Sequence, residues 1–385
     1  MGGDIHWVMS QIVQIGLDVT SSAGGSATAF HAVRNAIGGK AISFTGQSRW
    51  NEILEGDGIH HIQTSRSLLG RFFHKPNPQE LARAKEILHG AKLLIIHTLY
   101  RYHAHWAHEI SRELSIPYWV IIHGGLDPYV LSYRRFRKMH WLNQFGRLYL
   151  RNAQQVIFAT SNEQAKASPF LDGVQSRVVP WPVECPQLPN VFRARQLWRN
   201  KLGIEDDARL LLFLGRLQEV KRPLAVLDAF RQARAPDTHL VFAGPSEGYS
   251  PAEILHLARS MSIPHVHAVG PVYKWDKDGL LAASDGLISL SVKENFNFAA
   301  AEAMAAQKPV ILSPGNDLQG ELLGLPCGWL LGTDEIHQAA RAIYEFATLP
   351  KDQLAKFGIT AGQWAADNLG PNTFKKRFDS LLAEL

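Results

Sequence analysis

The 385-residue sequence predicts an α/β protein built from two Rossmann-like, doubly wound parallel sheets. Three observations carry that expectation. Short β-rich runs alternate with helical stretches, the alternation restarts halfway along the chain, and a proline-rich segment separates the two series. At 46% apolar residues the chain can fill two cores of ordinary size.

In the first half, strands are expected at Gln11 to Gly16, Ala41 to Thr45, His60 to Thr64, Leu93 to His97, Tyr118 to His123 and Val156 to Ala159. The second half restarts at Leu210 to Leu214, His239 to Ala243, Val266 to Val269, Gly286 to Leu290 and Val310 to Leu312. Between them, Pro180-Trp-Pro-Val-Glu-Cys-Pro-Gln-Leu-Pro189 is too rich in proline for a helix and suits an extended hinge. The expected division is residues 1–185, residues 186–361, and a helical segment 362–385 that returns to the first domain through Trp364 and Phe374. A cleft between the domains is the expected active site.

Cys185 and Cys327 are the only cysteines, which excludes a disulfide scaffold and a zinc motif and favours a reducing cytoplasm. No basic start leads into an apolar run, and no apolar stretch approaches about 18 residues, so neither a signal peptide nor a membrane span is expected. Charge is unevenly divided. Residues 1–190 carry 19 Lys and Arg against 13 Asp and Glu, whereas residues 191–385 carry 21 against 22. A basic first domain favours an anionic acceptor or membrane surface, with peripheral attachment to the inner face of the plasma membrane as one consequence. Nucleic acid is not an expected partner, because no recognition module accompanies the charge.

The run from Ser291 to Ser313 contains two glutamates, Glu294 and Glu302. A strand should end just before Glu294, and a small-residue helix should carry Glu302, so both carboxylates face a positive helix end. Carboxylates there can accept hydrogen bonds from sugar hydroxyls, while backbone N–H groups of Asn297 and Phe298 suit a phosphate. A sugar joined to a phosphate satisfies both. About eighty residues earlier, an apolar strand runs into Gly215, Arg216 follows, and Lys221 precedes Pro223 at a helix start. Two such cations can hold a diphosphate and stabilise it as a leaving group.

In the first domain, Gly24-Gly25 lets a ligand approach backbone amides closely, although the spacing is not that of a dinucleotide fingerprint. His123 ends an apolar strand before Gly124-Gly125 and should face the cleft. Histidines 97, 103, 105 and 108 cluster without a carboxylate or cysteine to complete a metal site, and Asp276-Lys-Asp278 is read as a helix start; no metal is expected. The segment 131–151 interleaves arginines with aromatics and reads either as an amphipathic helix at a membrane or as ordinary packing into the first domain.

Three of these motifs, the Gly-Arg-Leu-x3-Lys turn, the Glu-x7-Glu segment and the following Glu-Ala-Met-Ala-x3-Pro-Val, resemble the donor domain of retaining glycosyltransferases of family 4, which have the GT-B fold. Gln11 to Gly16 with Ser22 to Thr28, Ile121 to Tyr129, and Val156 to Glu163 extend the resemblance into the first half. It is similar overall to bacterial members that build exopolysaccharide or envelope polysaccharide. The resemblance implies a nucleotide diphosphate sugar as co-substrate, UDP-glucose first and GDP-mannose second, with no cofactor or metal. It also implies a lipid-linked or oligosaccharide acceptor. It places Arg216 and Lys221 on the phosphates, Glu302 on the ribose and Val272 and Tyr273 near the base. Glu294, with Asn295, Phe296, Asn297 and Phe298 after it, then holds the sugar, and His123 contacts the sugar from the first domain. Asn297 departs from the glycine usual in the family, and its amide is expected either to tolerate a left-handed backbone or to contact the ligand. A nucleotide-sugar epimerase of the same fold and a non-catalytic sugar-nucleotide-binding protein are the alternatives.

Overall fold

The computed structural model describes residues 11–20, 24–53, 56–64, 76, 78–186 and 188–384. Its contacts divide the chain into unit 1, residues 1–182 with 371–385, and unit 2, residues 183–370.

Unit 1 is built on seven strands: β1 (Ile12–Leu17), β2 (Lys40–Gly46), β3 (His60–Thr64), β4 (Leu93–His97), β5 (Tyr118–Ile121), β6 (Gln155–Phe158) and β7 (Ser176–Val178). They form one parallel sheet in the order β3-β2-β1-β4-β5-β6-β7. β1 is the switch point: Val13 stands beside Lys40 of β2 on one side and Leu94 of β4 on the other. Helices cover both faces, so β4 is apolar at four of five positions and buried at all five. The three residues of β7 are half-buried at the sheet edge, and a run that short carries no readable alternation.

β5 stops at Ile121, two residues short of the expected His123. His123 and Gly124 adopt positive φ, at 51° and 69°, and turn the chain so that the Gly125 N–H donates to the Ile122 carbonyl at 3.1 Å. A strand cannot run through two left-handed residues.

From residue 135 onward, segment 131–151 is one continuous helical run with a π turn in its middle. It comprises the helix Arg135–Trp141, a π turn over Leu142–Gly146 and the helix Arg147–Arg151. Gly146 permits the turn to lie against the Trp141 ring, where a Cβ would come within 2.5 Å of it. Leu142, Tyr149 and Leu150 are buried, and Trp141 and Phe145 pack on the unit 1 core. Phe136, by contrast, is 91% exposed.

Unit 2 carries β8 (Arg209–Leu214), β9 (Thr238–Ala243), β10 (Val266–Gly270), β11 (Gly286–Ser289), β12 (Val310–Leu312) and β13 (Gly328–Leu330). These form a parallel sheet in the order β10-β9-β8-β11-β12-β13, with the switch point between β8 and β11. Leu211, Phe213, Leu240, Phe242, Ile288 and Ile311 form its core with the helices Pro223–Ala233 and Ile336–Thr348. The sequence expectation lacked β13, another three-residue strand.

The helical segment expected from 362 is two helices. Lys351–Leu369 belongs to unit 2, and Pro371–Leu382 belongs to unit 1. Pro371 disfavours the helical region for the residue before it, and Gly370 accordingly lies at φ −59°, ψ 141°. Trp364 therefore sits on the unit 2 helix and does not anchor the returning one. That role falls to Phe374 and Phe378, both buried, with Phe378 5.1 Å from the Trp119 ring of β5. Among the described residues, no helix is long and apolar enough to cross a membrane.

Candidate functional site

In unit 2 the site is built on the loops after β8 and β11, the two strands of the switch point. Gly215 follows β8, and Gly244, at φ 153°, follows β9 beside it; a Cβ on Gly244 would lie 1.8 Å from the Gly215 carbonyl oxygen. That contact lets the two strand ends close together. The Leu217 N–H donates to the Pro245 carbonyl at 2.9 Å, which fixes the turn carrying Arg216. Arg216 reaches outward and donates to Glu247 at 2.6 Å.

A short 3₁₀ turn, Glu219–Lys221, then leads through Arg222, at φ 54°, into the helix that starts with Pro223. The loop after β11 is tied back to this turn: Val292 N–H donates to the Val220 carbonyl at 2.9 Å. The tie brings Lys221 and Glu294 together as an ion pair, with side chains 19% and 14% exposed. Glu294 is fixed through its backbone, which donates to the Gly315 carbonyl and accepts from Asp317 N–H, both at 2.8 Å.

Glu302 takes a salt bridge from Lys277 at 2.7 Å. Burial pushes the Glu302 carboxyl up from its ordinary pKa, and Lys277 opposes the shift. Asp276 lies in the first turn of the helix Lys274–Ala283, as the helix-start reading of that motif expected. Just before it, Val272 is half-buried and Tyr273 is 62% exposed.

Asn297 has a structural role that sequence reading did not assign. It adopts φ 62° and caps the helix Phe298–Ala305, its Oδ1 accepting from Ala300 N–H at 3.2 Å. Its amide turns inward, donating to Ser289 Oγ at 2.9 Å and to Asn316 Oδ1 at 2.6 Å. Asn316 in turn donates to the Ser289 carbonyl and to Ser313 Oγ, at 3.1 and 3.0 Å. Buried polar groups need such partners, so the Asn297 amide is committed to the network rather than to a ligand. Phe296 is likewise 1% exposed and edge-on to Phe298 at 4.9 Å between centroids, so its ring is core. Asn295 and Phe298 are half-buried. At the helix start, Asn297 Oδ1 already satisfies Ala300 N–H, which leaves the N–H groups of the first turn before it to face an anion.

The expected first-domain residues lie in unit 1. Gly24 takes φ 86° and caps the helix Gly25–Ile37, its carbonyl accepting from Ala27 and Thr28 N–H at 3.0 and 3.1 Å. Among the described residues, nothing lies within 4 Å of a Cβ placed on Gly25. Residues 21–23 of the same loop lie outside the described residues.

His123 belongs to a chain of polar groups at the strand ends. Its Nε2 lies 2.9 Å from His97 Nδ1, and His97 Nε2 lies 3.1 Å from Gln14 Oε1. Burial, with His123 and His103 beside it, holds the His97 pKa well below its ordinary value, so the ring is neutral. A neutral imidazole donates from one nitrogen only, so Gln14 and His97 together fix which nitrogen of His123 carries its proton. The loop around His123 is pinned by Glu163, 3% exposed, which accepts from Gly124 N–H at 2.5 Å and Ala159 N–H at 2.9 Å. Glu163 was legible in principle, since Thr160 followed three residues later by Glu is a helix-start signature. His103, His105 and His108 do not converge on a metal: His103 bonds the His97 carbonyl, His105 the Trp141 indole and His108 the Tyr118 hydroxyl.

Residues 194–364, a little under half of the chain and all within unit 2, match the model of the family described as glycosyl transferases group 1. Among curated proteins, a D-inositol 3-phosphate glycosyltransferase of Mycobacterium marinum is 28% identical over 199 residues, 50% of this chain and 42% of that protein. One from Mycobacterium bovis is 32% identical over 160 residues, 40% of this chain and 33% of that protein. The chain thus matches less than half the length of these relatives. Among solved structures, Anabaena HepE in complex with UDP and glucose superposes with TM-score 0.75 at 17% identity, covering 97% of this chain and all of that one. Sucrose-phosphate synthase from Thermosynechococcus elongatus superposes with TM-score 0.74 at 17% identity, covering 97% and 98%. The fold is that of GT-B glycosyltransferases, and the match to the group 1 family model is confined to unit 2.

Proposed function

We propose that this chain is a retaining, metal-independent glycosyltransferase that moves a hexose, glucose in the first instance, from a UDP-sugar to a hydroxyl of a saccharide or lipid-linked saccharide. The observation that carries the reading is the Lys221–Glu294 pair at the unit 2 switch point, beside the N-terminus of the helix Phe298–Ala305. One group of that pair suits phosphate and the other suits hydroxyls. In this reading Lys221, with Arg216 swung from Glu247, neutralises the diphosphate, and Glu302 accepts from the ribose hydroxyls.

The sugar C1–O bond to phosphate breaks, and a bond forms from C1 to the acceptor oxygen on the same face. The acceptor proton passes to the departing phosphate. Negative charge grows on that phosphate as the bond breaks, so Lys221 and the helix start contribute most where the charge is greatest. The complex of HepE with UDP and glucose supports the donor class. Exposed Tyr133 and Phe136 beside Arg134 and Arg135 support contact of unit 1 with an anionic membrane, and with it a place in envelope or exopolysaccharide assembly.

The experiment is a thermal-shift screen against UDP, GDP, ADP and their sugars, with and without Mg²⁺, followed by donor turnover. A ligand at about 100 times its Kd stabilises by roughly 2.7 kcal/mol. A shift selective for uridine nucleotides and indifferent to Mg²⁺ is expected. No shift with any nucleotide removes the donor site.

A further inference from the structure

At the N-terminal ends of β8, β11 and β12, away from the donor loops that follow the strands, unit 2 holds a cavity of about 260 Å³. Lys308, just before β12, is half-buried in it. Arg195 of the helix Val191–Leu202, Arg209 at the start of β8 and Asp285 just before β11 line the same space. None of the residues assigned above to donor binding lies there.

The cluster has more cations than carboxylates to pair them. Asp285 Oδ1 accepts from Arg195 at 3.0 Å, and its Oδ2 accepts from Arg199 at 2.6 Å and from Leu210 N–H at 2.8 Å. Lys308 is left with one hydrogen bond, from Nζ to the Ala282 carbonyl at 3.3 Å, and no ion pair among the described residues. Asp206 and Asp207 also line the cavity but are exposed, and Asp207 already accepts from Lys351 at 2.8 Å. Arg209 donates to the Leu349 carbonyl at 2.8 Å. Burial pushes the Lys308 amine down to about 8; Asp285 opposes the shift, and Arg195 and Arg199 add to it. An ordinary lysine titrates near about 10.4, so far more of this amine is unprotonated and nucleophilic at neutral pH. Arg195, Arg199 and a protonated Lys308 set three positive charges against the Asp285 carboxylate. A carboxylate carried on Lys308 itself would make that two against two, and buried charges are stable when paired. With a water's share of liquid volume at about 30 Å³, the cavity has room for such a group.

We propose that Lys308 is a carbamylation site, at which the chain takes up carbon dioxide reversibly. The Nζ lone pair attacks the carbon of CO₂ and forms an N–C bond, the electron pair of one C=O π bond moves to oxygen, and one amine proton passes to solvent. The product is a carbamate anion beside the two arginines that otherwise share Asp285. An acyl phosphate or thioester could meet the same amine, but an acyl-lysine is neutral and leaves those arginines facing one carboxylate. The inference stands on unit 2 alone and is independent of the transferase reading.

The test equilibrates the full chain with ¹³C-labelled bicarbonate and CO₂ at pH 7.5, reads carbamate by ¹³C NMR, then traps it as the ethyl ester with a trialkyloxonium salt for peptide mapping. The chain's α-amine, with a pKa of about 7.7–8.0, also takes up CO₂ and serves as the internal reference. A second carbamate resonance is expected beside that of the α-amine. The trapped ester should map to Lys308 at least tenfold more than to Lys356, an exposed lysine of the neighbouring helix Lys351–Leu369. Lys308→Arg, which keeps the cation and removes the reactive amine, should lose the second resonance. The map is read on the unaltered chain, so it decides the matter even where the variant fails to fold. A preference for Lys308 under tenfold, or a second resonance that survives in Lys308→Arg, overturns the proposal.

Discussion

Lys221 and Glu294 lie on loops more than seventy residues apart in sequence and form an ion pair, because the Val292 N–H bond to the Val220 carbonyl draws the two loops together. Replacing Lys221 by Ala should lower kcat by roughly 10²–10³ while the fold is kept, as expected for a group that acts on developing phosphate charge. Glu294→Gln should retain UDP affinity and lose turnover of UDP-sugar. Steady-state kinetics with UDP inhibition constants separates the two; Lys221→Ala turnover within a few-fold of wild type would remove its role.

Asn297 combines a left-handed backbone, a helix cap and a buried amide network. Asn297→Ala should destabilise by about 2–4 kcal/mol, from left-handed strain, loss of the cap and orphaned partners. Asn297→Gly removes the strain and should cost about 1–2 kcal/mol less than Ala. Urea unfolding of both variants checks the order. The two variants should also bind UDP alike if the amide faces the core.

Gly244 makes the closest backbone approach in the unit 2 site. Gly244→Ala should push the Arg216 turn away from β9, lowering the melting temperature and weakening UDP at least tenfold. Gly25→Ala, where no described residue lies within 4 Å of the added Cβ, should leave the melting temperature unchanged.

Buried histidines make unit 1 acid-sensitive. His97 is held well below its ordinary pKa and His103 is pushed down to about 4, chiefly by burial. Below the unfolded value of about 6.5 the unfolded chain takes up protons that these two folded rings refuse, so stability falls with pH until the folded values are reached. His103 contributes a loss of up to about 2 kcal/mol between pH 6.5 and 5, and His97 adds to it in the same direction. Urea midpoints across that range should fall, and His103→Gln should flatten the dependence; a midpoint independent of pH would contradict it.

Long apolar strands such as Leu93–His97 were legible because burial on both faces leaves an unbroken hydrophobic run. The three-residue strands β7 and β13 were not, since pairing with a neighbour rather than side-chain pattern defines them. At the site, charged residue types beside strand ends made Arg216, Lys221 and the two glutamates candidates. Their partners were hidden: Lys277 and Glu247 meet Glu302 and Arg216 only through tertiary proximity. Of the two expectations for Asn297, the left-handed backbone holds at φ 62°, and the direction of its amide was hidden because its partners, Ser289 and Asn316, are supplied by other parts of the loop cluster. The sequence analysis gave Gln14 no role; β4 places His97 beside it, and the two are hydrogen-bonded.

The break at Gly370–Pro371 has a consequence for biosynthesis. The helix that covers Trp119 of unit 1 is encoded after the whole of unit 2. At roughly 5–20 residues per second, a ribosome needs about 10–40 s to make the intervening chain. During that interval the nascent first unit leaves its Trp119 surface uncovered, a site at which a chaperone can engage the chain. Unit 2 can close as an uninterrupted stretch, and unit 1 is sealed last.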